Sequence, residues 1–333
     1  MGSFLDKPVT EKETEVEEQE FCGESLAYGV SAMQGWRVTM EDTHIHSIGF
    51  DGSHGDLALF GVFDGHGGDK VAKHVEAHFI GELVADERFK RITDHSGPES
   101  ADALGGALTS TFLRLDRKME DLAKTDAMDR SGCTAIMAML TPTHYVIANC
   151  GDSRLVIVGD SGVVTFATAD HKPSNPEEQA RIERAGGTVM HKRINSDLAV
   201  SRAFGDFYYK TTESLPAEDQ QVSVKPDISV SERRASDQFI ILACDGIWDV
   251  MQNQEVAKFV MDAAKAGKPL ATICEAVIDR CLDLGSRDNM SVIIVALPGA
   301  PKISSGSSSA SSSPASSPRG ASAASAGAAM EDE

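Results

Sequence analysis

The sequence predicts an α+β fold in which antiparallel sheets carry long helices on their outer faces. Three observations carry that expectation: short apolar runs clustered with turns between them, long stretches with apolar residues three and four apart, and no regular strand-helix alternation. Leu57 to Phe63, Tyr145 to Ala148, Leu155 to Val158, Phe239 to Ala243 and Ser291 to Ala296 are rich in Val, Ile, Leu and Phe and read as buried strands. Tyr145 to Ala148 and Leu155 to Val158 face each other across a six-residue turn, so a hairpin is expected there. Lys70 to Leu83, Ala101 to Leu122, Glu177 to Ala185 and Pro269 to Leu284 have the spacing that gives a helix one buried face.

Composition bounds the rest. The 333 residues are 41% hydrophobic and suffice for a sizeable core. Residues 1 to 20 are an acidic segment and residues 299 to 333 a Ser/Ala-rich tail, and both are expected to be disordered. No Pro/Gly/Ser linker divides residues 21 to 298, which read as one domain. A net charge of -20 argues against nucleic acid as a partner, because phosphate backbones recruit Lys/Arg surfaces. The six cysteines form no Cys-x-x-Cys pair, which suits a reducing compartment. No run is long enough to span a membrane and the first residues lack a secretory pattern, so a cytoplasmic, and also nuclear, monomer is expected. Met1-Gly2 would permit myristoylation, but Asp6 stands where the pattern asks for Ser or Thr, which argues against membrane attachment. Ser313-Pro314 and Ser317-Pro318 fit proline-directed kinases, although an inert solvated tail explains the composition without one.

The chemistry gathers at strand edges. Leu57 to Phe63 runs into Asp64-Gly65-His66-Gly67-Gly68, Phe239 to Ala243 passes through Cys244 into Asp245-Gly246, and Tyr145 to Ala148 reaches Asp152 through a short turn. Asp288 precedes the strand at Ser291, and Glu41-Asp42 follows Trp36-Arg37-Val38-Thr39-Met40. Hard cations such as Mg²⁺ and Mn²⁺ prefer oxygen ligands, and strand ends can hold carboxylates rigidly while leaving them open to water. A single Asp-Gly usually marks a turn. Two of them, each ending an apolar strand beside three further acidic sites, point to metal instead. Glycine after each aspartate would let the chain turn sharply and bring a carbonyl to an ion. His66, with glycine on both sides, is a candidate proton donor. Arg37 could grip an oxyanion with two parallel hydrogen bonds, or else pair with Glu41 or Asp42.

Competing signatures fail on context. Gly68 occupies the fifth place of any calcium loop begun at Asp64, Cys274 and Arg280 have no glycine between them, and Phe204-Gly205-Asp206 lacks a kinase's other loops.

These residues resemble the type 2C (PPM) family of metal-dependent protein phosphatases over nearly all of residues 23 to 297. The likeness runs through Met33-Gln34-Gly35-Trp36-Arg37, Phe63-Asp64-Gly65-His66-Gly67-Gly68, Ser131-Gly132-Cys133-Thr134-Ala135 and Gly151-Asp152-Ser153-Arg154. It continues through Ala169-Asp170-His171-Lys172-Pro173, Ser201-Arg202-Ala203-Phe204-Gly205-Asp206, Asp245-Gly246-Ile247-Trp248-Asp249 and Arg287-Asp288-Asn289. The resemblance implies a four-layer α/β/β/α sandwich and two Mg²⁺ or Mn²⁺ ions, with a weaker third. Asp64 would be shared by both ions, the Gly65 carbonyl would bind one, Asp245 and Asp288 the other, and Glu41 and Asp42 would act through bound water. Asp152 matches the aspartate of the third ion, and Asp206 would assist it. Arg37 would bind phosphate and His66 would be the general acid, with residues from Pro173 to about Arg193 forming a flap beside the site. Thr39 departs from the acidic or small residue common in relatives.

The implied reaction is hydrolysis of phosphoserine and phosphothreonine in proteins by water activated between two ions, without a phosphoenzyme. An inactive scaffold of the same fold would have lost metal aspartates, and none is lost here. A small-phosphate hydrolase or phosphodiesterase would share the chemistry and differ in substrate.

Overall fold

Two antiparallel sheets stack face to face in the computed structural model, which describes residues 4–50, 54–123 and 130–303. From Ser304 onward the Ser/Ala-rich tail lies outside the described residues, as do its two Ser-Pro pairs. The strands of these two sheets are β1 (Phe4–Phe21), β2 (Glu24–Arg37), β3 (Thr43–Phe50), β4 (His54–Phe63), β5 (Ala135–Leu140), β6 (His144–Cys150), β7 (Arg154–Val158), β8 (Val164–Ala167), β9 (Asp227–Glu232), β10 (Phe239–Ala243) and β11 (Met290–Ala296). The helices are α1 (Lys70–Ala85), α2 (Pro98–Ala123), α3 (Pro176–Arg184), α4 (Asp245–Trp248), α5 (Asn253–Lys265) and α6 (Leu270–Asp283). One sheet runs β1-β2-β11-β10-β7-β8 and the other β9-β6-β5-β4-β3.

Strand alternation builds the layers, because successive side chains point to opposite faces. On β4, Ala58, Phe60 and Val62 enter the core between the sheets, where Ile240, Leu242, Ile293 and Val295 meet them from the other sheet. Leu57, Leu59 and Phe63 face the other way, onto Val75 and Phe79 of α1 and Leu108 and Phe112 of α2. The outer face of the six-stranded sheet is covered in the same manner by α4, α5 and α6. The expected four-layer sandwich is therefore observed. None of the helices among the described residues is long and apolar enough to cross a membrane.

Two expectations are corrected. Residues 4–20 of the segment expected to be disordered form, with Phe21, the strand β1, an edge strand in register with β2 from Lys12 opposite Met33 to Phe21 opposite Glu24. Half-buried Lys12, Thr14 and Val16 alternate with exposed Glu11, Glu13, Glu15 and Glu17, a period-two pattern that the carboxylates disguise. Lys12 reaches Asp279 on α6 at 2.6 Å, and the Tyr28 hydroxyl donates to Glu17 at 2.6 Å. The outward charges also discourage further strands from pairing at this edge.

The hairpin expected at Asn149 to Arg154 is absent. β6 belongs to the five-stranded sheet and β7 to the six-stranded one, so Gly151-Asp152-Ser153 crosses between sheets. That crossing delivers Asp152 to the seam between them.

Candidate active site

Strand register gathers the candidate residues at one end of both sheets. Thr43 pairs with Phe63, so Asp42, just before β3, and Asp64, just after β4, emerge side by side. Ala243 pairs with Val292, which sets Asp245 close to the segment carrying Asp288. Met290 pairs with Met33, which brings the end of β2 and Arg37 to the same place.

Carboxylate oxygens of Asp64, Asp152 and Asp245 lie within 4.8 Å of one another. Burial, then the neighbouring aspartates, pushes the Asp64 and Asp245 carboxyls well above the usual carboxylate range. Three acids held so close are unfavourable as anions unless a cation lies among them. Asp42 adds an orphan: its Oδ2 accepts from Ser291 Oγ at 2.7 Å, while buried Oδ1 has no partner among the described residues. Burial pushes this carboxyl up to about 7.

Asp42, Asp64 and the Cys244 sulfur also lie within 4.8 Å of one another. Burial, followed by the nearby aspartates, holds the Cys244 thiol well above its ordinary range. Its sulfur lies 3.4 Å from the Asn289 carbonyl and accepts from the Ser291 amide at 3.1 Å, which marks it as framework. The remaining donors are all oxygen, the set that suits Mg²⁺ or Mn²⁺. The residues present therefore fit hard divalent cations.

The other candidates surround this cluster without all joining it. Arg37 pairs with neither Glu41 nor Asp42; its guanidinium donates to Asp288 Oδ2 at 2.5 Å. Asp288 is thereby engaged outside the close triad, and its other oxygen accepts from the Asn289 amide at 2.8 Å. Glu41 accepts from Thr39 Oγ1 at 2.7 Å and from the Gly68 amide at 3.2 Å, while its own amide donates to Asn289 Oδ1 at 3.0 Å. Thr39, the departure from the family pattern, thus orients Glu41. Asp152 forms an ion pair with Lys172.

Gly65 does not make the sharp turn expected after Asp64. It opens a two-residue strand, Gly65–His66, that pairs with Gly132–Cys133. What it needs is the absence of a side chain, since a Cβ there would stand 2.3 Å from the Glu41 carbonyl oxygen.

His66 Nε2 lies 2.7 Å from Asp206 Oδ2, with the ring 27% and the carboxylate 3% exposed. Burial alone would lower the imidazole pKa, but Asp206 outweighs it and the net shift is upward. Asp206 has φ 52°, an uncommon conformation for a residue with a side chain, and is held by its amide donating to Ser131 O at 2.9 Å. Gly132 lies beneath the pair: a Cβ would approach Asp206 Oδ2 to 2.4 Å and His66 Nε2 to 2.5 Å.

Asp206 as the partner of His66, Lys172 on Asp152, Gly132 as a spacer and Asn289 as a brace were not assigned these roles from sequence. The only signal for the His66 pair is that both residues sit in glycine-containing segments, 140 positions apart.

The expected flap is more than a loop. α3 and the Val189–Met190 and Arg193–Ile194 strands share a small core with Val200, Ala203, Tyr209 and Val222. Buried Glu178 on α3 accepts from Arg181, Arg202 and Ser201, stitching the flap to the chain that leads to Asp206.

Comparison with known proteins bears on the family and the fold. The family model described as Protein phosphatase 2C matches residues 26–290. Protein phosphatase 1B of Mus musculus is 44% identical over 308 residues, covering 91% of this chain and 77% of that protein. Protein phosphatase 1A of Homo sapiens is 44% identical over 306 residues, covering 91% and 78%. Among solved structures, a serine-threonine phosphatase 2C from Toxoplasma gondii superposes with a TM-score of 0.72 at 22% identity, covering 85% of this chain and 99% of that one. At that identity the superposition shows the fold.

Proposed function

Because the chain belongs to the protein phosphatase 2C family, we propose that it hydrolyses phosphoserine and phosphothreonine in proteins by direct attack of water, without a phosphoenzyme. The observation that carries this reading is the convergence of Asp64, Asp152 and Asp245 oxygens within 4.8 Å at the sheet ends. Arg37 and His66 come to the same end of the sandwich. Asp64, the Gly65 carbonyl, Asp245 and Asp288 would hold two Mg²⁺ or Mn²⁺ ions, Asp152 would serve a weaker third, and Glu41 and Asp42 would act through bound water. When bound, such ions make water nucleophilic near neutral pH and neutralise phosphoryl oxygens.

The chain's own residues do the rest. Asp288 holds the Arg37 guanidinium, and Arg37 could turn its guanidinium to the phosphoryl group if Asp288 were to hold a cation. Asp206 favours the protonated imidazole of His66 and fixes its Nε2, leaving Nδ1 as the nitrogen that Asp206 does not engage. From there a proton can pass to the departing serine or threonine oxygen. Lys172 neutralises Asp152 and must yield if a cation is to use that carboxylate.

Activity on a phosphothreonine peptide, compared with a cyclic nucleotide under Mn²⁺, tests the substrate class. Turnover of the peptide alone supports the proposal, and turnover of the cyclic nucleotide alone would make the protein a phosphodiesterase.

A further inference from the structure

We propose that Arg287 forms a second anion-binding point beside Arg37, one that recognises an acidic group next to the phosphorylated residue of the substrate. This rests on the reading of Arg37 as the phosphate-binding residue.

The two arginines line one pocket of about 200 Å³, together with Phe4, Asp249, Ser286 and Asp288. Arg37 already has a carboxylate partner in Asp288, whereas Arg287 has no ion pair among the described residues, in a chain of net charge -20. The Arg287 guanidinium is instead held by aromatic rings, 5.7 Å from the centroid of Phe4 and 5.8 Å from that of Trp36. Stacking of this kind fixes a planar cation while leaving its N–H edge available for hydrogen bonds.

The backbone beneath it is fixed as well. Ser286 Oγ donates to the Gly246 carbonyl at 2.7 Å, and the Asn289 side-chain amide donates to Gln34 O at 2.8 Å and Thr39 O at 3.0 Å. The rings come from adjacent strands, Phe4 from the edge strand β1 and Trp36 from β2, where Phe4 lies opposite Arg37. The two rings and the anchored backbone restrict the exposed Arg287 side chain, which reduces the freedom lost when an anion binds. Asp249 lines the same pocket, so an entering anion meets carboxylate as well as guanidinium. Cations on the site's carboxylates would tip that balance toward binding.

The ligand chemistry is a carboxylate or a second phosphate on the phosphopeptide. The test measures kcat/KM for phosphothreonine peptides in which alanine, glutamate or phosphoserine is walked through the positions on either side. The wild type is expected to favour an acidic group at one position by about five- to tenfold, the scale of a charge-assisted hydrogen bond at a partly exposed site. Added salt should shrink that preference. In Arg287→Ala the ratio of acidic to neutral peptide should fall toward one through KM, and Arg287→Lys should restore only part of it. Phe4→Ala, which removes one ring at an exposed position, should give an intermediate ratio. Equal loss on acidic and neutral peptides, a preference that survives Arg287→Ala, or a wild type indifferent to every acidic position would each overturn the subsite. The glutamate and phosphoserine arms separate the two sources of charge. A wild type inactive on all peptides and on p-nitrophenyl phosphate would refute the phosphatase reading itself, and the subsite with it.

Discussion

Gly132 shows how much of the site depends on a missing methyl group. With its Cβ position 2.4 Å from Asp206 Oδ2, Gly132→Ala must part Asp206 from His66. The variant is expected to lose roughly ten- to a hundredfold in kcat on a phosphothreonine peptide, part of the roughly hundred- to ten-thousandfold that general acid catalysis supplies. The loss should be much smaller on p-nitrophenyl phosphate, whose leaving group needs no proton. Equal losses on both substrates would place His66 outside proton transfer. Lys172 offers a second test at this scale, because its ammonium pairs with Asp152 and would compete with a cation proposed to bind there. Calorimetric titration should find that Lys172→Met binds Mn²⁺ more tightly, by about tenfold at the weakest site, the effect of about 1.4 kcal/mol of removed competition. The carboxylates were legible in sequence because each follows or precedes an apolar strand. The partners of Arg37, His66 and Asp152 were not, since ion pairs between distant segments leave no local pattern.

Among the elements, α3 carries the clearest pH dependence. Burial alone would raise the Glu178 carboxyl, yet Arg202 and then Arg181 pull it down to about 2. A carboxyl depressed in the folded state adds stability that is fully present above its unfolded pKa and is lost as pH falls through the folded value. Glu178 should therefore contribute on the order of 3 kcal/mol at neutral pH, fading from about pH 4.5 downward. Urea denaturation of wild type and Glu178→Gln should show a stability gap that narrows between about pH 5 and pH 3. A gap constant over that range would mean the ionised carboxylate is not what holds α3 to Arg202. Continuous apolar runs and helical spacing revealed β4, β6, β7, β10, β11 and four helices almost to their ends. β1 was missed because outward carboxylates dominate its composition, and the false hairpin arose because two adjacent apolar runs do not say which sheet each joins.

At the scale of the molecule, the core between the sheets fixes the relative position of the strand ends on which the site depends. Phe60 is fully buried there, so Phe60→Ala should cost about 3–5 kcal/mol by chemical denaturation. A cost under about 1 kcal/mol would show that this layer collapses around the deletion instead of holding the sheets apart. The layered architecture was legible from element type and resemblance, but the register that aligns Phe63 with Thr43 and Ala243 with Val292 was visible only in the fold.

The most direct test of the central claim, that this carboxylate cluster works by holding divalent cations, is hydrolysis of a phosphothreonine peptide with Mn²⁺ or Mg²⁺, run beside an EDTA control and Asp64→Asn. Turnover that requires metal, vanishes in EDTA and falls about a thousandfold or more in the variant is the predicted result. Undiminished turnover in EDTA or in Asp64→Asn would contradict it.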